Sequence, residues 1–159
     1  MVSKRLFFAM DVAADWPPEL PSGRIIAEAD RHLTLAFLGN VPFEPLKAIL
    51  KELPLPSFRE VKGLFDKSLF LPPGEPRVAA WHVHFSDDHV KNYQCELANF
   101  LRTKGYPIEE RPFLPHVTLT RAPFSISEWE EAFTPIPCRV KSFNLYESVG
   151  DLHYKPVWP

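Results

Sequence analysis

The sequence has few cysteines, little net charge and no long apolar run, and each shortage narrows the classes of protein it can encode. Two cysteines in 159 residues, Cys95 and Cys138, are too few for a disulfide framework and are not spaced as metal ligands. We therefore expect a reducing, cytoplasmic environment. A net charge of −2 provides no overall positive field for coating long nucleic acid. The low net charge is still compatible with an enzyme that binds one phosphate at the end of a nucleic-acid strand through a few local arginines.

The apolar segments are all short, and none approaches the roughly 18 residues that a membrane span needs, so we expect no membrane association. The basic and apolar beginning of the chain is better explained as a first strand than as a signal-peptide core, because Asp11 interrupts the apolar run after residue 10. The composition, 45% apolar and 24% charged, is typical of a globular protein. The length suits a single domain over residues 1–159.

Proline, by contrast, is abundant, and 18 prolines make the boundaries of the elements readable. A proline-rich loop that leaves little room for a helix follows the first strand. Ser86 is the expected cap of the second helix, and Ser127 with Glu130 is the expected capping box of the third. Strands are predicted near residues 5–11, 31–38, 58–70, 77–85, 115–121, 138–147 and 152–158, and helices near residues 43–53, 86–105 and 127–133.

The order of these elements repeats in the two halves of the chain. Each half contains a first strand, a strand that begins with histidine, a helix and a further strand. We interpret this repetition as an internal duplication that produces two similar lobes facing each other across a cleft. The short turns "PPGEP" and "VGD" favour antiparallel hairpins over a parallel sheet. The predicted fold is therefore α+β and bilobal with an approximate twofold axis, with two antiparallel sheets and outer helices around a central cleft.

The two histidine strands share one pattern, because "HLTL" and "HVTL" both read His, apolar, Thr, apolar. Alternate side chains of a strand share a face, so His32 projects with Thr34, and His116 projects with Thr118. The apolar residues project to the opposite face, where they can pack on helices. A buried His or Thr without a partner costs a few kcal/mol, so the polar faces should line a wet or functional surface.

Two imidazoles on opposite sides of one phosphorus atom can divide the work of hydrolysis. With an ordinary pKa of about 6.5, one ring can take a proton from water while the other protonates a departing ribose oxygen. Each threonine hydroxyl can donate a hydrogen bond to a non-bridging phosphate oxygen. This chemistry requires no metal or other cofactor. A lone motif would be better explained by a histidine that bonds a neighbouring carbonyl, but the matched pair favours a shared phosphate site.

The pair "HLTLAFLG" and "HVTLTR" resembles the two His-x-Thr-x signatures of the two-histidine (2H) phosphoesterase superfamily, and in particular its 2′-5′ RNA ligase branch, the RNA 2′,3′-cyclic phosphodiesterases. Further similarity in "RLFFAMD", "RVAAWHVHF", "RPFLPHVTLTR" and "FNLYES" extends it over most of the chain. The resemblance implies a bilobal α+β fold with a central cleft. The chain departs from the family in the short proline-rich segment before the first motif, where relatives usually carry a full helix.

The resemblance also implies an activity, the hydrolysis of a terminal 2′,3′-cyclic phosphate on RNA to a 2′-phosphomonoester. A weak reverse reaction would join ends through a 2′-5′ linkage without ATP. By the family pattern His32 is the proton donor and His116 the proton acceptor, an order that the nearly symmetric motifs do not themselves reveal. The binding partners would be RNA ends or nucleotides with a cyclic phosphate, and no protein partner is implied.

Two further residues are candidates for substrate contact. Arg121 lies five positions after His116, where the family places an arginine that helps to hold phosphate. Strict alternation points Arg121 away from the cleft, so this role requires the strand to end or bulge at Thr120. Phe7 is a candidate for stacking on a terminal base, although packing in the core is the commoner role of an aromatic residue in a sheet.

His82 and His84 share a strand face in "WHVHF" and could be taken for metal ligands. A solvent-facing pair explains them better, because no third ligand has a suggestive spacing. Two alternatives to the metal-independent enzyme stay open. One is a metallohydrolase built on these two residues and a cleft histidine. The other is a non-catalytic RNA-end or nucleotide-binding protein of the same fold, although two intact His-Thr pairs argue against it. Tyr146 and Tyr154 are weaker candidates for base stacking.

Overall fold

In a computed structural model, which describes residues 2–159, one large antiparallel sheet is backed by short helices. The strands are β1 (Ser3–Ala14), β2 (Arg24–Ile25), β3 (His32–Pro42), β4 (Glu60–Leu71), β5 (Val78–His84), β6 (His116–Arg121), β7 (Ile136–Gly150) and β8 (His153–Trp158), and the helices are α1 (Phe43–Ile49), α2 (His89–Thr103) and α3 (Ile126–Ala132). Each predicted strand and helix is present, and β2 is an addition. Among the residues described, no helix has the length and apolar character needed to cross a membrane.

The strands follow the order β1-β3-β6-β5-β4-β7-β8, and β7 also pairs with β1, so the ladder returns to its first strand. All pairs are antiparallel, which confirms the predicted α+β class. The two predicted sheets, however, are hydrogen-bonded into one. Strand β7 is long enough to pair with β4 along its first half and with β8 along its second half. The continuity of β7 therefore joins what the sequence suggested as separate sheets.

Strands β3 and β6, which carry the two motifs, are paired through the residues Leu33 and Val117. Both side chains are completely buried on the back of the sheet. Elsewhere each strand has its own neighbour, β1 beside β3 and β5 beside β6. The Leu33–Val117 pair is thus the junction at which the two halves of the chain meet.

The strand pairs on the two sides of this junction contain β-bulges at equivalent positions. Strand β3 has one more residue than β1 directly after Thr34, and β6 has one more residue than β5 directly after Thr118. The extra residues, Leu35 and Leu119, are both buried. Matching bulges at matching positions support the predicted internal duplication, while the division of one domain into two similar lobes stays a prediction.

The back of the sheet carries one continuous apolar core. In β1 the alternate residues Leu6, Phe8 and Met10 enter this core, and all three are at most 1% exposed. The residues between them point to the other face, where Phe7 and Ala9 form a small separate cluster with a tyrosine of β7. The side chains of β1 are thus divided between the two faces of the sheet, as strand alternation predicts.

The proline-rich loop, residues 15–23, contains no helix and leads into the short strand β2. Strand β2 pairs with Thr120 and Arg121, so this segment adds an edge to β6 in the second half of the chain. Gly23 is required there, because a β-carbon at this position would overlap the hydroxyl group of Thr120. The indole of Trp129 donates a hydrogen bond to the Ser22 carbonyl at 3.2 Å and anchors the segment from α3.

Two predicted helix caps are wrong by a few residues. Helix α2 begins at His89 with Asp88 as its N-cap, so Ser86 is not the cap. Helix α3 is capped by Ser125, whose Oγ accepts a backbone N–H of the first turn at 3.3 Å, and not by Ser127. Several polar residues precede the first apolar position of α2, and in α3 serines stand on both sides of the apolar Ile126, so the sequence pattern alone does not decide which residue acts as the cap.

Replacing Leu33 with Ala is expected to lower the free energy of unfolding by about 2–5 kcal/mol, because the change removes buried methyl groups and leaves a cavity at the junction. Urea denaturation followed by tryptophan fluorescence measures this loss. The matched control is Leu55→Ala, at a side chain that is 63% exposed, which should change stability by less than about 0.5 kcal/mol. Equal effects of the two substitutions would contradict the central, buried position of Leu33.

Candidate active site

The two His-Thr motifs meet at the junction of β3 and β6. Because Leu33 and Val117 oppose each other in an antiparallel pair, the residue before one of them lies across from the residue after the other. The histidine of each motif therefore neighbours the threonine of the other, and all four side chains share the face opposite the buried pair. These four residues are His32, Thr34, His116 and Thr118. The structure thus brings together the residues that the sequence pattern predicted.

Both motif histidines are oriented by the same kind of contact. The Nδ1 atom of His32 lies 2.8 Å from the Asp30 carbonyl oxygen, and the Nδ1 atom of His116 lies 2.6 Å from the Leu114 carbonyl oxygen. A carbonyl oxygen can only accept, so Nδ1–H is the donor in each ring. In the neutral ring this arrangement leaves Nε2 as the nitrogen that can take up a proton.

Aromatic rings surround His32 on the front of the sheet. Its ring centroid lies 4.8 Å from that of Phe7 and 4.7 Å from that of Tyr154, and Tyr146 is 6.2 Å away. Phe7 also stacks on Tyr146 with a centroid distance of 5.5 Å and is only 3% exposed. These contacts hold the His32 ring in place. Base stacking by Phe7 stays a prediction, and the packing leaves little of its ring accessible.

Burial and neighbouring carboxylates act in opposite directions on His32. Burial is the largest influence, and it lowers the pKa of His32 below the ordinary imidazole value. The Asp30 carbonyl and the carboxylates of Asp11 and Asp30 favour the protonated ring and raise the pKa in part. A positive charge on His116 works against the proton on His32, so the two rings are electrostatically coupled. Apart from His116, the charged groups that shift the pKa of His32 are these two carboxylates.

The surroundings of His116 are of the opposite sign. Burial again is the largest influence and lowers the pKa of His116, while the Leu114 carbonyl partly opposes this effect. Arg111 and His82 lower the pKa further, because each places positive charge near the ring. The two motif histidines therefore have the same backbone geometry but opposite electrostatic environments.

The bulge in β6 decides which way Arg121 points. Thr118 opposes Ala80, and Arg121 opposes Val78, so three steps along β6 correspond to two along β5. Since residues two apart on β5 share a face, Arg121 returns to the face of Thr118. The bulge that a phosphate-binding role requires is therefore present, just before Thr120. The role of Arg121 itself stays a prediction.

His82 lies beside the motif residues, although the sequence pattern predicted that it faces solvent. The prediction of a solvent-facing pair holds for His84, which is exposed, but is wrong for His82. The His82 side chain is 17% exposed, its Nδ1 lies 2.7 Å from Asp66 Oδ1, and it is the cross-strand partner of His116. Within residues 2–159, no group of three or more His, Cys, Asp or Glu side chains is close enough to hold a metal ion.

Asp30 connects the end of the chain to the first motif, and no local sequence signal indicates this contact. Its carboxylate lies 3.0 Å from the Nδ1 atom of His153 and accepts the backbone N–H of Tyr154 at 3.1 Å. These contacts hold β8 against the turn that precedes His32. The neighbouring Arg31 is buried, because its guanidinium packs on a tryptophan ring and its Nε donates to a backbone carbonyl of the same turn.

The carboxylate of Asp11, the cross-strand partner of His32, is held in turn by β7. The Tyr146 hydroxyl donates a hydrogen bond to Asp11 Oδ1 at 2.7 Å. Burial and this hydrogen bond both raise the pKa of Tyr146, so the phenol stays protonated and remains a donor. The sequence interpretation weighed Tyr146 only as a base-stacking candidate, because its pairing with β1 depends on the closure of the sheet.

The relatives found by comparison with known proteins share one named activity. No protein-family profile matches the chain. The chain is 32% identical over 182 residues to an RNA 2′,3′-cyclic phosphodiesterase of Escherichia coli, an alignment that covers 97% of this chain and 94% of the relative. It is 34% identical over 134 residues to an RNA 2′,3′-cyclic phosphodiesterase of Thermotoga maritima, covering 77% and 69% of the two chains. A crystal structure of E. coli LigT complexed with 3′-AMP superimposes with a TM-score of 0.69 at 28% identity, over 98% of this chain and 95% of that one.

Replacing Asp30 with Ala is expected to release β8 from the first motif while leaving the backbone carbonyl that orients His32 in place. Hydrogen–deuterium exchange of the Tyr154 amide should accelerate roughly 10- to 100-fold, as expected for the loss of a hydrogen bond to a charged group. The exposed Asp15 provides the matched control, Asp15→Ala. Unchanged exchange at Tyr154 would show that Asp30 does not anchor β8.

Proposed function

This chain belongs to the family of RNA 2′,3′-cyclic phosphodiesterases, and we propose that it hydrolyses a terminal 2′,3′-cyclic phosphate of RNA to a 2′-phosphomonoester. The observation that carries the proposal is the pairing of Leu33 with Val117, because this pairing places both motifs on one face of the sheet. The orientation of the two histidine rings supports it, since Nδ1 of each is held by a carbonyl and Nε2 is left for proton transfer.

In the proposed reaction, water attacks the cyclic phosphate as the bond between phosphorus and the ribose 3′ oxygen breaks. His116 accepts the proton of the attacking water, and His32 donates a proton to the departing 3′ oxygen. The surroundings of the rings support this order. Burial lowers the pKa of both rings. The carboxylates near His32 partly oppose this effect and favour its protonated form, whereas Arg111 and His82 near His116 add to it and favour a ring that is free to accept a proton.

Thr34, Thr118 and Arg121 bind the phosphate in this proposal. Each threonine hydroxyl donates to a non-bridging oxygen, and the guanidinium of Arg121 adds a full positive charge on the same face. The placement of both threonines at the junction and the bulge that redirects Arg121 support these roles. Phe7 backs the His32 ring. Stacking of Phe7 on a terminal base would require more exposed ring than the 3% observed.

The substrate is an RNA end or nucleotide with a cyclic phosphate, and the E. coli LigT complex with 3′-AMP supports a nucleotide-binding cleft. We further propose that attack by a 5′ hydroxyl in place of water produces a weak reverse ligation through a 2′-5′ linkage without ATP. Acid and base are both supplied by histidine, so the proposed step has no role for a metal or other cofactor. A cytoplasmic location is part of the proposal and is supported by two free cysteines.

Replacing His32 or His116 with Ala is expected to lower kcat about 10²- to 10⁴-fold, the usual contribution of a general acid or base. Hydrolysis of an oligonucleotide with a 2′,3′-cyclic end, followed by ³¹P NMR, measures the rate and shows which ribose oxygen keeps the phosphate. The wild-type reaction should yield a 2′-phosphate and persist in EDTA. The control His84→Ala, at an exposed position of β5, should retain full activity.

Three outcomes of this experiment would contradict the proposal in different ways. Full activity of His116→Ala would exclude acid–base catalysis by the histidine pair. Loss of activity in EDTA with recovery on addition of zinc would favour the metallohydrolase. Tight binding of the cyclic end without turnover would identify a non-catalytic RNA-end-binding protein of the same fold.

A further inference from the structure

Two side chains outside the motifs occupy matching positions beside the motif histidines. On β1, Asp11 is the cross-strand partner of His32, and on β5, His82 is the cross-strand partner of His116. Directly opposed residues of an antiparallel pair share a face, so both lie on the front of the sheet. The matching positions carry different chemistry, because one holds a carboxylate and the other an imidazole.

Both flanking side chains are held by a further strand. Tyr146 of β7 donates its hydroxyl proton to Asp11, and Asp66 of β4 accepts the Nδ1–H of His82, each over 2.7 Å. Asp66 occupies a bulge of β4 and is thereby brought towards the ring. These hydrogen bonds hold both flanking side chains in fixed positions. Charges fixed in partly buried positions are screened less by salt and act more strongly on their neighbours.

The two motifs are nearly symmetric and do not by themselves determine which histidine acts as the acid. The rings have the same backbone environment, the same Nδ1 contact and a threonine two residues later. Hydrolysis nevertheless requires one ring to hold a proton and the other to lack one when substrate binds. The difference must come from groups outside the motifs.

We propose that Asp11 and His82 are positioning residues that set the direction of proton transfer, with Asp11 retaining the proton on His32 and His82 keeping His116 free to accept one. The catalytic meaning of this inference rests on the proposed function. The effect of Asp11 and His82 on the titration of the two motif histidines can be tested separately, in the protein without substrate.

Other charges face His32, and Asp11 has the position best suited to act on it. Asp30 adds a second carboxylate, but its oxygens are engaged by His153 and the Tyr154 amide. The titratable and charged groups that face His32 or Asp11 are Asp30 from the preceding turn, Tyr146 and Lys141 from β7, Tyr154 from β8 and His116 from β6.

Arg111 and His82 both act to lower the pKa of His116, and His82 is the more buried of the two. Each has a carboxylate 2.7 Å away, Glu109 beside Arg111 and Asp66 beside His82, but the Arg111 side chain is 80% exposed and that of His82 only 17%, so solvent and salt weaken the effect of Arg111 more. The groups that face His116 or His82 are Arg111 from the preceding segment, Arg121 from β6, His32 from β3, His84 from β5, and Asp66 and Lys67 from β4.

The test removes each flanking titratable group while preserving its hydrogen bond. Asp11→Asn keeps an acceptor for the Tyr146 hydroxyl, and His82→Asn keeps a donor for Asp66. Long-range ¹H–¹⁵N spectra of the histidine rings, recorded against pH on the free protein, report each midpoint, with signals assigned through His32→Gln and His116→Gln. Asp11→Asn should lower the His32 midpoint by about 0.5–1 pH unit, and His82→Asn should raise the His116 midpoint by a similar amount, the size expected for one charge at cross-strand distance.

Matched variants separate a charge effect from a structural one. Asp15→Asn and His89→Asn remove the same groups from exposed positions outside the site and should leave both midpoints in place. Asp11→Glu and His82→Lys retain the charge and should keep each midpoint close to the wild-type value, which guards against a poorly folded Asn variant. Unmoved midpoints in both Asn variants, or equal movement of both rings in each, would overturn the inference.

The pH dependence of hydrolysis separates this inference from the proposed function. Asp11→Asn should move only the basic limb of kcat to lower pH, because His32 then loses its proton sooner. His82→Asn should move only the acidic limb to higher pH, because His116 then becomes protonated sooner. Shifted midpoints in a protein without hydrolytic activity would refute the function alone. An active enzyme whose limbs and midpoints do not move would refute the inference alone.

Discussion

The cross-strand pairing of Leu33 with Val117 is the interaction on which the site depends. It brings together two strands that are otherwise held by different neighbours, and it does so with fully buried side chains. Because side chains alternate across a strand, burying this pair on the back of the sheet commits the residues on either side of it to the front. The hydrophobic effect thus fixes the relative position of two histidines that are far apart in the chain.

Burial and a carbonyl contact together set the protonation and the orientation of the motif histidines. Half-burial removes solvent from each ring and favours the neutral form, while a carbonyl contact at Nδ1 selects the tautomer. Charged groups on neighbouring strands then distinguish the rings. A fold built from two similar halves can therefore support an asymmetric reaction, provided that the positions around the motifs differ in charge.

The motif residues could be read from the sequence because their signal is local. Strand alternation alone predicts that His32 and Thr34 share a face, and the prolines mark where the elements end. What could not be read depends on pairing between distant segments. The contact of Asp30 with β8 and the place of His82 beside His116 exist only once the sheet is formed. The face of the sheet to which Arg121 points is determined by one bulge residue, which no local pattern specifies.

The central claim is that imidazoles from the two halves of the chain flank a single phosphorus atom. A crystal structure of the protein with a nucleoside 2′-phosphate, the product of the proposed reaction, tests it most directly. The account predicts one phosphate group with oxygens within about 2.7–3.2 Å of Nε2 of both His32 and His116. A phosphate that contacts only one of these rings, or that binds on another surface while both rings remain free, would contradict the account.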